Sequence, residues 1–283
     1  MMKRYAMTIL AYMTTFGLTF TACGSKESGP DAPIDPTPPV SKDVTVKVMS
    51  YNLWASRPGN LQPQNMIEMA EVIKRADPDL VALQEVDKLT KRNPIDVTKE
   101  LAERTGMKYY FFAKAMDHNG GEYGEAILSK LPFKETKAYS LGFLPEYPNS
   151  EPRAIAMVTV EKEGKEFHFV GTHLDHLEIN GNRDKQAKDI VDIFKTFTKP
   201  VILGGDLNSL PDSEAIRILR GHFTLGCLNN NCAFTFPATN PNRTIDYLMY
   251  APSSAISVQS YQAYTWAGSA SDHLPVLATF TLK

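Results

Sequence analysis

Alternating and continuous apolar runs recur along the chain from residue 44 onward, and turn-forming residues bound most of them. Period-two alternation and short apolar runs predict β-strands. The predicted strands lie in VTVKVMSYNL, LVALQEV, KYYFFAKAM, EAILSK, RAIAMVTVEKEGKEFHFVGTHL (a hairpin with its turn near Glu163 and Gly164), VILGG, TIDYLMY, SVQSYQAY and PVLATFTL.

Four stretches between these strands carry apolar residues at helical spacing. NMIEMAEVIKRADPD predicts a helix that Asp-Pro-Asp ends, and VTKELAERTGM predicts a short helix that ends at Gly106. NRDKQAKDIVDIFKTF and SEAIRILRG predict two more. The apolar face of the first helix is expected to contain Met66, Ile67, Ala70 and Ile73. That of the third is expected to contain Ala187, Ile190, Val191 and Phe194.

Predicted strands outnumber predicted helices, and several consecutive strands are joined as hairpins. This order differs from the strict alternation of strand and helix in a doubly wound parallel sheet. We predict an α/β fold of two mostly antiparallel sheets packed face to face, with helices outside. Residues 44–283 contain no linker and form one domain. The segment AYSLGFLPEYPNSEPR either flanks the functional site or covers a sheet edge.

The first residues predict export. Lys3 and Arg4 precede the apolar stretch MTILAYMTTFGLTFTA, so residues 1–22 are expected to be a signal peptide. FTAC resembles a bacterial lipobox, with Phe20 where Leu is usual, so Cys23 is the expected site of lipidation. The alternative is an uncleaved membrane anchor. Residues 23–43 are rich in Pro, Ser, Gly and Asp and predict a flexible tether. We therefore expect a membrane-anchored lipoprotein of the periplasm or cell surface.

The length, amino-acid composition and net charge are typical of a soluble globular protein. The chain has 283 residues, of which 43% are hydrophobic and 22% charged, with a formal net charge of −2. No basic excess favours nucleic acid or an anionic membrane as a partner. A bound cation can still recruit an anion locally.

Two cysteines follow the predicted tether. Cys227 and Cys232 stand in GCLNNNCAF, whose Asn run is typical of a turn. An exported location permits a disulfide between them, and the alternative is two separate buried thiols. A zinc site is not expected, because no second Cys/His pair has the required spacing.

Polar residues that can carry chemistry end five of the apolar strands. Each has an ordinary structural explanation when taken alone, such as a turn, a cap or a surface ion pair. Their recurrence at strand ends favours a common site. Carboxylate and amide oxygens suit Mg²⁺, histidines can contact phosphate or move protons near neutral pH, and an arginine can hold an anionic oxygen. The residues at strand ends are Asn52, Glu85, His173, Asp206, Asn208, Asp272 and His273, and the arginine is Arg153 in EPRAIA.

The ordered motifs SYNLW, LQEVD, YGEAILS, GTHLDH, GGDLNS, TIDYLMY and SDHLPV resemble those of the endonuclease/exonuclease/phosphatase superfamily. This superfamily includes DNase I-like nucleases, AP endonucleases, inositol-polyphosphate phosphatases and bacterial sphingomyelinases. The resemblance runs from about Val46 to Val276. It implies a four-layer α/β sandwich, in agreement with the predicted strands and helices.

The resemblance also implies a metal site. Asn52 and Glu85 match the positions that hold a divalent cation, usually Mg²⁺, with Mn²⁺ or Ca²⁺ as alternatives, and Asp272 assists them. Asp206 matches the residue that activates the attacking water, and Asn208 would orient the water or the phosphate.

Four further residues complete the implied site. His173 and His273 would bind and polarise the phosphate oxygens, and Asp246 would orient His273. Arg153 lies where some members contact phosphate. Glu125 departs from the Asn of many members, and some nucleases of the family pair a Glu at this position with the first histidine, so a Glu125–His173 dyad is a further expectation.

We therefore expect a metal-dependent phosphoester hydrolase that acts on a small or lipid-headgroup phosphoester through an activated water. A DNase I-like endonuclease is the enzymatic alternative, although the Lys and Arg residues are scattered rather than clustered. A phosphate-binding module with an inactive site is the non-enzymatic alternative. We expect a monomer whose contact with the membrane is through its lipid anchor.

Overall fold

The computed structural model describes residues 42–55, 62–147, 149–177, 181–268 and 270–283. Ser41–Lys283 cluster as one compact unit. The predicted signal peptide, Cys23 and most of the tether lie outside the described residues, so their assignments stay predictions. None of the helices within the described ranges is long and apolar enough to cross a membrane.

Twelve strands and four α-helices occur within these residues. The strands are β1 (Val44–Asn52), β2 (Leu80–Lys88), β3 (Tyr109–His118), β4 (Gly121–Ser129), β5 (Phe133–Leu141), β6 (Arg153–Lys162), β7 (Lys165–His173), β8 (Val201–Asp206), β9 (Thr224–Leu225), β10 (Asp246–Ala251), β11 (Ile256–Ala263) and β12 (Val276–Leu282). The helices are α1 (Pro63–Ala76), α2 (Val97–Thr105), α3 (Asn182–Phe194) and α4 (Glu214–Arg220).

The strands form two six-stranded sheets. The first has the order β11-β12-β1-β2-β4-β3, and the second has the order β5-β6-β7-β8-β10-β9. The pairs β1–β2 and β7–β8 are parallel, and the other pairs are antiparallel. The prediction of two mostly antiparallel sheets is confirmed.

Three apolar clusters stack these elements into four layers. The central cluster joins the facing sides of the two sheets, with Val48 and Ile127 from the first and Phe169 from the second. A second cluster packs α1 and α2 on the outer side of the first sheet. A third packs α3 and α4 on the outer side of the second sheet. This is the helix-sheet-sheet-helix sandwich that the motifs implied.

Two local predictions were wrong. Strand β5 was not predicted, because it is an edge strand that pairs only with β6 and exposes most of its side chains. Ile67 is 41% exposed and lies off the buried face of α1, which uses Met66, Met69 and Ala70 instead. Positions three and four residues apart share one face of a helix, whereas adjacent positions do not.

The segment 138–153 forms a sheet edge itself, and its last residues, Glu151 and Arg153, line the main cleft. Its first residues belong to β5 and so form the edge of the second sheet. Its later residues bind the start of α3, since Leu144 N donates to Asn182 Oδ1 at 2.7 Å and Asn182 Nδ2 donates to Ser150 Oγ at 2.6 Å. These bonds fix the chain just before Arg153.

Cys227 and Cys232 are joined by a disulfide in the structure. The bond closes a short loop that contains a 3₁₀ turn at Leu228–Asn230. Cys227 is buried in the cluster under α3 and α4, and Cys232 packs against it. The disulfide therefore ties this loop to the outer core of the second sheet.

Candidate active site

Strand register brings three of the predicted site residues to one edge of the second sheet. The parallel β7–β8 pair sets His173 opposite Asp206, and the antiparallel β8–β10 pair sets Asp246 opposite the same Asp206. All three residues are buried. Their alignment follows from the strand pairing and requires no unusual loop.

Two glycines let β8 carry Asp206 to that edge. A Cβ on Gly204 would lie 3.3 Å from Ser50 Cβ of the first sheet, and a Cβ on Gly205 would lie 2.4 Å from Thr172 O. The β7 backbone leaves no room for a side chain at Gly205, and the facing sheet makes the space at Gly204 tight. The Gly-Gly pair is therefore a packing requirement that precedes the functional carboxylate.

Asp206 is the central acceptor of the site. Asn208 N donates to Asp206 Oδ1 at 2.9 Å, and Asn52 Nδ2, from the first sheet, donates to Oδ2 at 2.9 Å. His173 Nε2 lies 3.4 Å and His273 Nε2 lies 3.7 Å from the same Oδ2. Asp206 thus joins residues from both sheets.

Burial raises the pKa of Asp206, and the nearby charge of Asp246 raises it further. The positive charge of His273 and the bonds from Asn208 and Asn52 oppose this shift. A carboxylate with a raised pKa is a stronger base than an ordinary Asp, as a proton acceptor near neutral pH should be.

His273 is held between two carboxylates. Its Nδ1 lies 3.0 Å and 3.1 Å from the two carboxylate oxygens of Asp246. Ser271 Oγ accepts a bond from His273 N at 3.1 Å and donates to Asn52 O at 2.7 Å, which fixes the loop. Burial alone would lower the pKa of His273, but Asp246 and Asp206 outweigh it and raise the pKa to about 10. The ring is therefore an imidazolium at neutral pH.

His173 has the opposite electrostatic environment. Arg153 Nη1 lies 3.4 Å from its Nδ1, and Asn208 Nδ2 lies 3.0 Å from its Nε2. Burial lowers the pKa of His173 well below its usual range, and the charge of Arg153 lowers it further. Because Arg153 is a cation that can only donate at Nδ1, the neutral ring, which can accept there, is favoured.

The three residues predicted to hold a metal lie near one another at the end of the first sheet. Asn52 Nδ2 is 3.3 Å from Glu85 Oε1. Glu85 has a φ of 58° at an irregularity in the β2–β4 pairing, a left-handed conformation that costs energy for a residue other than glycine. Asp272 Oδ1 is buried and has no hydrogen-bond partner among the described residues. Burial raises the pKa of Asp272 to about 6, helped by Glu85 and opposed by His273.

A second group could also hold a metal ion. Ligand atoms of Asp206, Asp246 and His273 lie within 4.8 Å of one another, and all three residues are buried. Two acidic groups and one imidazole are a donor set that divalent cations accept. Candidate ligands therefore lie on both sides of Asn52.

The expected Glu125–His173 dyad is not formed. Glu125 is fully buried, and neither of its carboxylate oxygens has a hydrogen-bond partner within the described ranges. Burial raises its pKa well above the usual range, although Arg153 opposes the shift. Arg153 takes the Nδ1 side of His173 instead. The predicted dyad is absent because a sequence motif does not say whether Glu125 or Arg153 faces the ring nitrogen of His173.

Two residues of the site were not predicted from the sequence. His176 Nδ1 lies 3.4 Å from Arg153 Nη2 and 3.4 Å from Asp175 Oδ1. Glu151 Oε2 lies 3.2 Å from the same Arg153 nitrogen. Glu151 precedes Arg153 by two residues, and His176 ends the GTHLDH motif, so proximity to predicted residues was the available signal.

An open cleft of about 840 Å³ exposes this arrangement. Its lining includes the following members of the site: Glu85, Glu151, Arg153, His173, His176, Asp206, Asn208 and His273. Phe236 lines it beside His273, with the two ring centres 4.8 Å apart. The volume is that of a small-molecule site.

Solved structures with the same fold include the following. An endonuclease/exonuclease/phosphatase protein from Bacteroides vulgatus is 20% identical and matches 85% of this chain and 100% of its own, with a TM-score of 0.69. A mannosyl-6-phosphatase from Bacteroides thetaiotaomicron is 20% identical over 83% of this chain and 99% of its own, with a TM-score of 0.65. The human nocturnin catalytic domain, bound to sulfate, is 20% identical over 86% of this chain and 97% of its own, with a TM-score of 0.64. At these identities the likeness concerns the fold.

No curated protein matches the chain significantly. The model of the Endonuclease/Exonuclease/phosphatase family matches residues 49–273. This range begins in β1 and ends at His273, so it spans both sheets and every residue of the site described above. The chain belongs to the endonuclease/exonuclease/phosphatase family.

Proposed function

We propose that this protein is a metal-dependent hydrolase of phosphoesters, in which Asp206 activates a water that attacks phosphorus in line with the leaving group. The observation that carries the proposal is the position of Asp206. It is a buried carboxylate with a raised pKa, it opens onto the cleft, and it lies between the neutral His173 and the protonated His273. A base beside donors to an anion is what phosphoryl transfer to water requires.

The donor set at the end of the first sheet fits a divalent cation. Asp272 Oδ1 is a buried carboxylate oxygen without a hydrogen bond, and the charge of Glu85 raises the pKa of the same group. A cation held by Glu85, Asp272 and Asn52 would neutralise both acids. Oxygen ligands favour Mg²⁺, with Mn²⁺ or Ca²⁺ as alternatives. The metal would supply charge that polarises a phosphate oxygen.

His273 is better suited to proton and phosphate chemistry than to metal binding. A histidine must lose the proton of its ligating nitrogen before it can bind a metal. The raised pKa of His273 opposes that loss. Its Nδ1 is also engaged by Asp246. We therefore assign Asp246 to the orientation of His273, whose Nε2 would donate to a phosphate oxygen.

Three residues on the other side of Asp206 would complete the phosphate site. Arg153 and the amide of Asn208 are donors, and His173 is a neutral ring between them. Hydrogen bonds from these groups would strengthen as negative charge builds on the phosphoryl oxygens in the transition state.

The lining of the cleft favours a small phosphoester or a lipid headgroup over duplex DNA. The cleft is lined by acids such as Asp212 and Glu214 as well as by arginines such as Arg183, so it lacks the continuous basic surface that tracks a polyanionic strand. One neighbour of the fold is named for a mannosyl 6-phosphate, and another was crystallised with sulfate. DNase I-like endonuclease activity is an outcome of the test below, as is a binding module without turnover.

We also propose that the protein is an exported, monomeric lipoprotein anchored through Cys23. The support is the N-terminal sequence alone: a basic start, an apolar stretch and Cys23 after small residues, followed by a tether rich in Pro and Ser. A tethered hydrolase at the cell surface or in the periplasm would meet phosphoesters outside the cytoplasm.

The test is hydrolysis by the purified protein with Mg²⁺ or with EDTA. The substrates are p-nitrophenyl phosphate, bis(p-nitrophenyl) phosphate, mannose 6-phosphate, phospholipid vesicles and duplex DNA. We expect turnover of a small or lipid phosphoester with Mg²⁺ that EDTA abolishes, and little cleavage of DNA.

The control is the Asp206→Asn variant, which keeps the shape of the side chain but is not a base. Turnover at the wild-type rate in this variant would show that Asp206 is not the base. Preferred cleavage of DNA would replace the proposed substrate class, and phosphate binding without any turnover would favour a binding module.

A further inference from the structure

Arg153 is a buried cation at the floor of the cleft. Its side chain is 1% exposed, its Nη1 faces His173, its Nη2 faces His176, and its Nε has no hydrogen-bond partner among the described residues. Neither imidazole brings a negative charge. A buried guanidinium requires an anionic partner, because the loss of water around the charge is costly.

Glu151 supplies that negative charge. Its Oε2 lies 3.2 Å from Arg153 Nη2, and this is the ion pair that the described residues give Arg153. Glu125 also lies in the electrostatic environment of Arg153, but it makes no hydrogen bond with it, and burial raises the pKa of Glu125 well above its usual range. Glu151 is therefore the carboxylate that contacts Arg153 directly.

Glu151 can leave this contact more easily than Arg153 can. The Glu151 side chain is 37% exposed and lies just before β6, whereas Arg153 is the first residue of that buried strand. Both residues line the cleft. A phosphate oxygen that approached Arg153 Nη2 would meet the Glu151 carboxylate at the same nitrogen, and the two negative groups would repel each other.

We propose that Glu151 occupies the place on Arg153 that a phosphoryl oxygen takes, and that it thereby selects phosphate diesters over monoesters. The proposal rests on the function assigned to this cleft and adds a residue that determines its specificity. A monoester has a second ionisation near pH 6 and carries close to two negative charges at neutral pH, whereas a diester carries one. Repulsion by Glu151 therefore weakens monoester binding more than diester binding.

The test compares the wild type with the Glu151→Gln variant in calorimetric titrations at about pH 8, with Mg²⁺ present. The probes are inorganic phosphate, which is largely a dianion, and dimethyl phosphate, a monoanion that is stable to hydrolysis. We expect the variant to bind dimethyl phosphate about threefold more tightly and inorganic phosphate about tenfold more tightly, since the removed repulsion scales with the charge of the ligand.

Asp212→Asn is the matched control, because Asp212 is an exposed carboxylate of the same cleft. We expect this variant to change the affinity for both anions by less than about twofold, since an exposed charge is screened by solvent. An equal gain in both variants would attribute the effect to the general charge of the cleft and would overturn the proposal. Unchanged phosphate affinity in Glu151→Gln would overturn it as well.

The second readout is the ratio of kcat/KM for p-nitrophenyl phosphate to that for bis(p-nitrophenyl) phosphate. We expect Glu151→Gln to raise this ratio about threefold, because the monoester gains more than the diester. A ratio that stays constant would remove Glu151 as a determinant of specificity. If the wild type hydrolyses neither ester, the proposed hydrolase function fails, while the calorimetric comparison still decides the role of Glu151.

Discussion

His273 Nδ1 lies 3.0 Å from Asp246 Oδ2, while its Nε2 lies 3.7 Å from Asp206 Oδ2. One imidazole thus lies between two carboxylates from adjacent strands, at hydrogen-bonding distance from Asp246 but not from Asp206. Asp246 makes the hydrogen bonds, and Asp206 stays available for other partners at the cleft. The two acids should therefore respond differently to the same substitution.

Asp206→Asn should lower kcat about 10²–10⁴-fold with little change in KM, because the amide cannot accept the proton of the attacking water. The loss should appear with every phosphoester that the wild type accepts, since it concerns the water and not the leaving group. Steady-state kinetics on two substrates with different leaving groups check this prediction.

Asp246→Asn is the matched control and should cost less, because an amide oxygen can still accept a bond from His273 Nδ1. A near wild-type kcat in Asp206→Asn would make Asp206 a structural residue at the end of β8. A larger loss in Asp246→Asn than in Asp206→Asn would move the essential carboxylate to Asp246.

Glu85→Gln should weaken binding of Mg²⁺ or Mn²⁺ and abolish turnover at ordinary metal concentrations, since a neutral amide does not offset the charge of the cation. Calorimetric titration with each metal measures the affinity directly. Glu122→Gln is a suitable control, because Glu122 pairs with Lys88 in the same sheet. Equal metal affinity in wild type and Glu85→Gln would exclude Glu85 as a ligand.

His168 should make the fold less stable in acid. Burial lowers its pKa from 6.5, and the nearby charge of Lys199 adds to the shift. The folded state then binds the proton more weakly than the unfolded state does. Stability is unaffected above pH 6.5 and falls as the pH drops from 6.5 toward the lower folded pKa.

His168→Gln should show a smaller drop in Tm between about pH 7.5 and about pH 5.5 than the wild type, because the amide does not titrate. The Gln can still bond Thr159, whose Oγ1 lies 2.9 Å from His168 Nδ1. His118→Gln removes a histidine that lines the cleft and serves for comparison. An unchanged pH dependence in His168→Gln would refute this assignment.

The Cys227–Cys232 disulfide should contribute at most about 2 kcal/mol to stability, because it closes a very short loop. Thermal unfolding of the Cys227→Ser/Cys232→Ser variant measures the loss, and mass spectrometry of the unreduced protein tests whether the bond forms. Alkylation of both thiols without a reductant would disprove the pairing.

Lipidation at Cys23 should anchor the mature protein. Metabolic labelling with a fatty acid should mark the wild type, and Cys23→Ala should lose the label, because the thiol is the acceptor. A variant such as Cys232→Ser should retain it. A label that survives in Cys23→Ala would place the anchor elsewhere.

Much of the architecture followed from local pattern. Periodicity predicts α2 and α3, because each helix buries one continuous face. It also predicts the strands that end at His173 and Asp206, because each is an apolar run buried on both faces. Strand β5 was not predicted, because an exposed edge strand needs few apolar residues. Its existence depends on pairing with β6, which is a contact between segments and not a local property.

The sequence by itself determined which chemical groups reach the ends of the strands, because an apolar strand followed by Asp206 or His173 sets the position of those side chains along the chain. Only the tertiary structure decided which groups meet. Asp206 receives Asn52 from the other sheet, Glu125 stays buried away from His173, and Arg153 is paired with Glu151. Such contacts depend on the register of strands and the stacking of two sheets. These are set by packing across the whole core, and no local pattern encodes them.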